Sequence, residues 1–272
     1  MIGRSLLLML AALIVQAQTL QEQVAKMMDP AVYQSHRKLV ALLFENEEAF
    51  STPKGYDLGA VAKVLENNGL LTLDLPKKER VTLQFECDGN PIFCMKLIRD
   101  VLHERGYRRA LTQEASFDGE RFVWSLALSS RRIPDPRLFA ERFAKRGVWT
   151  NEIVRESELV WRYGLGIDGA RIAARLIEPG TSQKLVRPVR PAWIDVSRVR
   201  SLTLRELPGS HWYPDVAVYD KMLHLLSVKQ SDTRTRYLRV RLPEESAYVK
   251  ITDRFTLENI KSGLRLDAGR AR

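Results

Sequence analysis

The stretch from Arg80 to Gly166 carries one pattern twice, and this repetition limits the possible folds more than any other feature of the chain. Each half contains residues that alternate between apolar and polar, which is the period of a strand. An Asn-Pro or Asp-Pro pair then provides the N-cap and the first residue of an apolar helix, and a glycine ends that helix. The signals are Asn90-Pro91 and Gly106 in the first half, and Asp135-Pro136 and Gly147 in the second.

The elements between these signals complete a β-α-β-β-α-β order. Asp118-Gly119 is a hairpin signal between a weakly patterned strand, residues 108–117, and a clear one, residues 122–129. Residues 149–167 are rich in strand formers and fit either one long strand or two paired strands. A duplicated βαβ unit predicts a ferredoxin-like domain over residues 80–167, with two helices on one face of a four-stranded antiparallel sheet.

The flanking segments predict a chain of the α+β class with further parts on both sides of this domain. Residues 18–76 indicate a helical N-terminal segment with one strand, in which Asp29-Pro30 divides two helices. Residues 168–192 carry the prolines and basic residues of a linker. Residues 193–268 contain seven short strand-like pieces between turns, which predicts a C-terminal β-sandwich of jelly-roll type.

The first seventeen residues have the composition of a bacterial secretory signal peptide. The basic residue Arg4 precedes an apolar run of about eleven residues, and Val15-Gln16-Ala17 offers a cleavage site. This run is shorter than the roughly twenty residues of a spanning helix, and an uncleaved membrane anchor is the alternative. The sequence therefore predicts an exported periplasmic protein with no stable membrane span after cleavage.

Cys87 and Cys94 are the two cysteines of the chain. In an oxidising compartment such a close pair predicts a disulfide, here between the end of a strand and the first turn of the next helix. The spacing differs from the Cys-x-x-Cys of thiol oxidoreductases, and two cysteines with no neighbouring histidine make a poor zinc site. We therefore expect a structural bond.

Basic residues outnumber acidic ones by 43 to 33. Export argues against nucleic acid as the partner, which leaves envelope proteins, anionic lipid headgroups, and cell-wall polymers or other acidic glycans. The excess is dense between the two predicted domains, where a basic strip either docks on such a partner or forms a solvated linker with interdomain salt bridges. The candidate contact residues of this strip are Lys184, Arg187, Arg190, Arg198 and Arg200.

A short loop, Ser210–Pro214, is the second candidate surface because it places His211, Trp212 and Tyr213 next to a proline. Exposed aromatic side chains on the loops of a sandwich stack on sugar rings or anchor protein contacts. In the alternative, Trp212 folds back and closes one end of the sandwich. The loop is a predicted contact for a partner or a glycan.

The sequence contains none of the common catalytic or metal-site motifs. Phosphate-binding loops, nucleophile elbows and zinc-protease helices are absent, and the four histidines lie far apart. We predict no enzyme activity, no cofactor and no metal; a hydrolase would need a cleft with two carboxylates of perturbed pKa.

The expected function is that of a scaffold or accessory factor in an envelope assembly, acting by protein-protein interaction. The alternative is a glycan- or cell-wall-binding protein.

Overall fold

A computed structural model describes residues 19–272, and the predicted signal peptide, residues 1–17, lies outside the described residues. The described part is a mixed α/β structure in which strands predominate. Its helices are α1 (Leu20–Met27), α2 (Pro30–Ser35), α3 (Arg37–Leu43), α4 (Leu58–Asn67), α5 (Pro91–Glu104) and α6 (Pro136–Ala144). The first strands are β1 (Ser51–Thr52), β2 (Gly55–Tyr56), β3 (Asp74–Asp88), β4 (Leu111–Phe117), β5 (Arg121–Arg132), β6 (Trp149–Arg155) and β7 (Val160–Gly166). The later strands are β8 (Arg175–Leu176), β9 (Ser182–Leu185), β10 (Ala192–Asp195), β11 (Ser201–Glu206), β12 (Pro214–Tyr219), β13 (Leu225–Gln230), β14 (Tyr237–Arg241), β15 (Tyr248–Asp253) and β16 (Leu264–Ala268).

Short polar caps place the first helices. Thr19 and Glu22 form a capping box at the start of α1, and Asp29 caps α2 immediately before its proline. The predicted break at Asp29 is confirmed, whereas the helix after it is itself divided into α2 and α3. The strand expected near residues 70–75 does not form separately, because Asp74 already belongs to the long β3.

The two helices that begin with proline, α5 and α6, form where the sequence predicts them. Asn90 and Asp135 each accept a hydrogen bond from the backbone N–H two residues later, at 2.8 and 2.9 Å. After α6, Gly147 has a φ of 73°, and a Cβ there would lie 2.6 Å from the backbone oxygen of Gly169. Glycine is therefore required by the backbone conformation and by the close approach of the chain that leaves β7.

Helices α5 and α6 cover a five-stranded sheet with the order β4-β5-β3-β7-β6. Residues 149–166 form two paired strands, β6 and β7, which is the second of the two predicted alternatives. The sheet therefore has five strands rather than the predicted four, and β7 lies beside β3 in parallel rather than antiparallel. Burial is the physical reason, because β7 carries Trp161, Tyr163 and Leu165, all at most 2 % exposed, and an interior position in the sheet keeps such side chains from water.

An aromatic cluster fixes α6 on this sheet. The ring of Phe85 lies 6.3 and 6.1 Å from those of Phe139 and Phe143, and it stacks on Tyr163 at 5.4 Å. All four side chains are buried. Aromatic pairs of this kind add about 0.5–1.5 kcal/mol each beyond the burial of their area. The cluster therefore holds α6 against β3 and β7 in the first unit of the chain, residues 19–167, which we term the α+β unit.

Residues 168–272 form the second unit, which we term the two-sheet unit. One sheet has the order β13-β12-β15-β10-β8, and the other has the order β14-β11-β16-β9. Apolar residues from both sheets, such as Ile251 and Leu266, share one buried cluster. All seven strands predicted here form, as β10 to β16. Within the predicted linker, residues 168–192, β8 and β9 each add an edge strand to one sheet.

A buried charge cluster, the junction cluster, joins the two units. Asp100 of α5 accepts hydrogen bonds from the Lys96 ammonium at 2.5 and 2.6 Å, and from the backbone N–H of Ala173 at 3.2 Å. The same ammonium lies 5.5 Å from the ring centre of Trp193 on β10. Burial lowers the pKa of Lys96, and Asp100 offsets part of this effect. Specific polar contacts, as well as apolar packing, therefore hold one unit against the other.

Candidate functional site

The aromatic loop predicted as a contact surface has a buried part and an accessible part. Trp212 is fully buried. Its indole N–H donates a hydrogen bond to the Thr252 carbonyl at 3.0 Å, and its backbone N–H donates one to the Glu206 carboxylate at 2.9 Å. Of the two alternatives for Trp212, exposed on the loop or folded back, the structure has the second, and the side chain closes one end of the two-sheet core. A buried indole offers no face to a sugar or a partner.

Tyr213 reaches the surface and meets a residue that the sequence analysis did not select. Its ring lies 5.1 Å from that of Phe255 at an angle of 79°, and Phe255 is 63 % exposed. His211 is exposed on the same loop as Tyr213, and Arg254 is exposed next to Phe255. We term Tyr213, Phe255, His211 and Arg254 the aromatic corner.

One buried carboxylate, that of Asp253, holds the two segments of the aromatic corner together. It accepts hydrogen bonds from the backbone N–H of Tyr213 at 2.9 Å and of Phe255 at 3.0 Å. It also accepts one from the side-chain amide of Asn259 at 2.9 Å. Because hydrogen bonds to a carboxylate are strong and Asp253 is only 7 % exposed, the corner has its geometry before any partner binds.

Ion pairs surround the aromatic corner. Arg234 donates two hydrogen bonds to Glu206, and Arg254 donates one to Asp232 at 2.9 Å. Desolvation raises the pKa of Glu206, but the hydrogen bonds from Arg234 and from the Trp212 backbone outweigh it, so this pKa lies below its usual value. The rim of the corner is therefore charged at neutral pH.

Acid is expected to weaken this part of the fold through Glu206. Its folded-state pKa lies below the value of 4.5 for an unperturbed carboxyl, so its contribution to stability is complete above pH 4.5 and is lost as the pH falls through the folded value. In Glu206→Gln, the urea midpoint of unfolding should be lower at neutral pH and should fall less than that of the parent below pH 4.5. Asp232→Asn is the control, because its carboxylate is 71 % exposed. Parallel pH profiles for parent and Glu206→Gln would contradict this role.

The predicted basic strip is not one surface in the folded chain. Arg198 donates a hydrogen bond to Glu178 at 2.7 Å, and Arg190 lies within electrostatic reach of Lys96 in the junction cluster. The five residues are all exposed but are spread over different elements. They are Lys184 on β9, Arg187 after β9, Arg190 before β10, Arg198 between β10 and β11, and Arg200 immediately before β11.

Strand pairing assembles a different basic surface on the outer side of the four-stranded sheet. Successive residues of a strand point to opposite faces, so the residues between the buried apolar ones face outward. The register places Arg205 opposite Arg265, and Arg265 opposite Lys184. We term this surface the basic face. Its cations are Lys184, Arg205, Arg239, Arg241 and Arg265, and Asp267 is the acid among the outward residues of these four strands.

A polar cleft of about 850 Å³ opens on the α+β unit, on the side of the sheet opposite α5 and α6. In its wall, Arg162 donates a hydrogen bond to Glu152 at 2.5 Å and lies 3.6 Å from the Glu86 carboxylate. Desolvation raises the pKa of Glu152, but the opposing effects of Lys26 and Arg162 are larger together, so this pKa lies below its usual value. A glycoside-cleaving acid needs the opposite shift, because it must keep its proton near neutral pH. Glu152 is therefore set up to hold charge in the wall of the cleft.

The predicted disulfide forms between Cys87, at the end of β3, and Cys94, in the first turn of α5. Their Cα atoms are 6.3 Å apart, and both side chains are buried. The bond ties a strand of the sheet to the helix that follows it. Such a bond is compatible with export to an oxidising compartment.

Within residues 19–272, no group of three His, Cys, Asp or Glu side chains is arranged to hold a metal ion. In the same range, no helix combines the length and the apolar character needed to cross a bilayer.

Phe255 is the functional candidate that sequence reasoning missed, and a local signal pointed to it. Asp253 precedes it by two residues, and an aspartate at this spacing forms a turn by accepting from the backbone N–H of the second residue. The turn was therefore readable from the sequence, whereas the exposure of Phe255 depends on the distant segments around it.

Protein-family models, curated protein sequences and solved structures were compared with the chain, and none matches it.

Proposed function

We propose that this chain is an exported, non-catalytic accessory protein of the cell envelope that binds a partner protein through the aromatic corner. One observation carries the proposal: Phe255 projects from the surface on a segment that the buried Asp253 fixes in place. Aromatic and arginine side chains contribute most of the binding energy at protein interfaces. A preorganised anchor also loses little conformational entropy on binding.

The shape of the aromatic corner favours a protein over a glycan. A sugar ring stacks on a flat aromatic face, whereas the rings of Tyr213 and Phe255 stand at 79° to each other. Phe255 instead has the form of a knob that fits an apolar pocket. Arg254, the residue before Phe255, pairs with Asp232, so the expected pocket has a polar rim with charges of both signs.

The test is photo-crosslinking in living cells from a photoreactive residue at position 211, the exposed histidine of the aromatic corner. We expect a discrete adduct with one envelope protein, and we expect it to disappear when Phe255 is replaced by alanine. Leu225→Ala is the matched control, because Leu225 is a similarly exposed apolar side chain, 57 %, on the edge strand β13.

The captured protein is then purified, and its affinity for the mature chain is measured. Phe255→Ala is expected to weaken binding about thirtyfold or more, as the loss of an interface anchor does, and Leu225→Ala should leave it unchanged. An adduct that survives in Phe255→Ala would refute the proposal. Sedimentation with purified cell-wall sacculi that depends on Phe255, without a protein adduct, would replace it with the glycan alternative.

Export to the periplasm is part of the same proposal. The buried Cys87–Cys94 bond supports an oxidising location, and the basic and apolar residues at the start of the sequence support cleavage after residue 17. Intact-mass spectrometry of the protein from a periplasmic fraction, with and without reductant, tests both points. A full-length mass from the cytosolic fraction would contradict them.

We also propose a fold type for each unit. The order β3-α5-β4-β5-α6-β6 supports a ferredoxin-like arrangement, with β7 inserted as a fifth strand between β3 and β6. The strand orders β9-β16-β11-β14 and β10-β15-β12-β13 support a jelly roll, because two interleaved Greek keys distribute consecutive strands between two sheets in this way. An experimental structure would test both assignments.

A further inference from the structure

We propose that the basic face binds the surface of a membrane that contains anionic lipids. The proposal is independent of the aromatic corner, because it rests on the outer side chains of the four-stranded sheet. Residues 168–272 carry 20 basic and 12 acidic residues, so a net charge of +8 out of +10 for the chain belongs to this unit.

The basic face consists of three rows of side chains that run across the strands. Neighbouring strands lie about 4.8 Å apart, so four strands give a face about 14 Å wide. The first row is Tyr237, Arg205, Arg265 and Lys184; the second is Arg239, Thr203, Asp267 and Ser182; the third is Arg241 and Ser201.

Like charges stand directly opposite each other in the first row. Arg205 faces Arg265, and Arg265 faces Lys184, an arrangement that destabilises a sheet. Asp267 offsets part of the repulsion, because it accepts hydrogen bonds from Arg205 at 3.2 Å and from Arg265 at 2.8 Å. Both arginine side chains nevertheless remain more than half exposed, at 56 % and 53 %.

Three further cations of the basic face have no acidic partner within residues 19–272. These are Lys184, Arg239 and Arg241, and all three are exposed. Cations held close together without counter-charges reduce the stability of the fold rather than increase it. We therefore infer that an anionic surface outside the chain neutralises them.

The shape and composition of the face favour a membrane among the possible anionic partners. A stable protein interface has an apolar centre, whereas Tyr237 is the one large aromatic side chain among the outward residues of these strands. The face is also the outer side of a sheet, with its side chains in three rows across four strands, rather than a groove that would follow a linear polymer. Cations that are spread in two dimensions can all lie close to a planar lipid surface. Each then lies within one screening length of the anionic headgroups, about 8 Å at physiological salt.

The test is binding of the mature chain to vesicles. The probes are mixed vesicles of phosphatidylglycerol and phosphatidylcholine, with vesicles of phosphatidylcholine alone for comparison. We expect binding to the mixed vesicles that weakens as salt is added. The variant Lys184→Gln, Arg239→Gln, Arg241→Gln should bind about a hundredfold more weakly, since each basic residue near an anionic bilayer contributes about fivefold.

A second variant controls for the loss of net charge. Arg37→Gln, Lys38→Gln, Lys78→Gln removes the same charge from exposed positions of the α+β unit and should bind within about threefold of the parent. Equal losses in the two variants would overturn the proposal, as would equal binding to neutral vesicles. Binding to soluble alginate that depends on the face, with no binding to vesicles, would assign the face to a linear acidic glycan instead. Vesicle binding is expected to be unchanged in Phe255→Ala, which separates this proposal from the one for the aromatic corner.

Discussion

Trp212→Ala is expected to lower the free energy of unfolding by about 3–5 kcal/mol, the usual cost of removing a large buried aromatic side chain. Trp212 is fully buried, and its indole N–H satisfies the carbonyl of Thr252. The substitution leaves a cavity at the end of the two-sheet core and removes the hydrogen bond to this carbonyl. Urea unfolding, followed by far-ultraviolet circular dichroism, measures the loss.

Tyr213→Ala is the matched control for this prediction. Tyr213 is the next residue along the chain but is only half-buried, and its ring contacts Phe255 at the surface. We expect it to change stability by about 1 kcal/mol, the value of one such aromatic contact. The prediction would be contradicted if Trp212→Ala were as stable as Tyr213→Ala but no longer bound a partner or glycan. Trp212 would then be an exposed binding platform rather than a buried side chain.

Asp100→Asn is expected to cost about 3–5 kcal/mol, because it leaves a buried cation without its counter-charge. The Asp100 carboxylate is 8 % exposed; it accepts two hydrogen bonds from Lys96, and a guanidinium nitrogen of Arg146 lies 3.9 Å away. The amide keeps the shape of the side chain but not its charge. Without Asp100, the pKa of Lys96 should fall further below its usual value, so the folded variant loses the Lys96 proton at a lower pH than the folded parent. The deficit should therefore shrink as the pH rises from the variant's folded-state pKa to that of the parent.

Two variants define the origin of this loss. Glu104→Gln removes an acid that also pairs with Arg146 but is 42 % exposed, and it should cost at most about 1 kcal/mol. Lys96→Met combined with Asp100→Asn removes both partners and should recover most of the stability. A double variant as unstable as Asp100→Asn alone would place the loss in packing rather than in the unpaired cation.

The two proposals describe complementary tasks on the two-sheet unit. The basic face is the outer side of β14, β11, β16 and β9, and the aromatic corner lies in the loops that adjoin β11 and β15. A chain that rests on an anionic membrane through the first surface could present Phe255 to a membrane-associated partner. Confinement to a surface raises the effective concentration of both proteins, so even a contact of low affinity at the aromatic corner would keep the partner bound.

Local signals explain why much of the fold was predictable. Asn90 and Asp135 each cap a helix through a hydrogen bond to a residue two positions away, and a proline follows each of them. The seven later strands likewise follow from alternation and turn residues within short windows. The disulfide was predictable because Cys87 and Cys94 are close in sequence and are the two cysteines of the chain.

Features that depend on distant segments escaped the sequence analysis. The position of β7 between β3 and β6 depends on pairing with the distant β3, and alternation within residues 149–167 carries no information about neighbouring strands. Strands β8 and β9, within the predicted linker, were not resolved because edge strands of two and four residues are too short to show a period.

By itself the sequence determined the helices, most strands, the disulfide and the positive charge, because each depends on residues that are near in the chain or on composition. The tertiary structure alone decided where that charge acts. Arg205, Arg265 and Lys184 are far apart in sequence, and only strand register brings them side by side. It also decided that Trp212 is buried and Phe255 exposed, because burial depends on which distant segments cover a side chain.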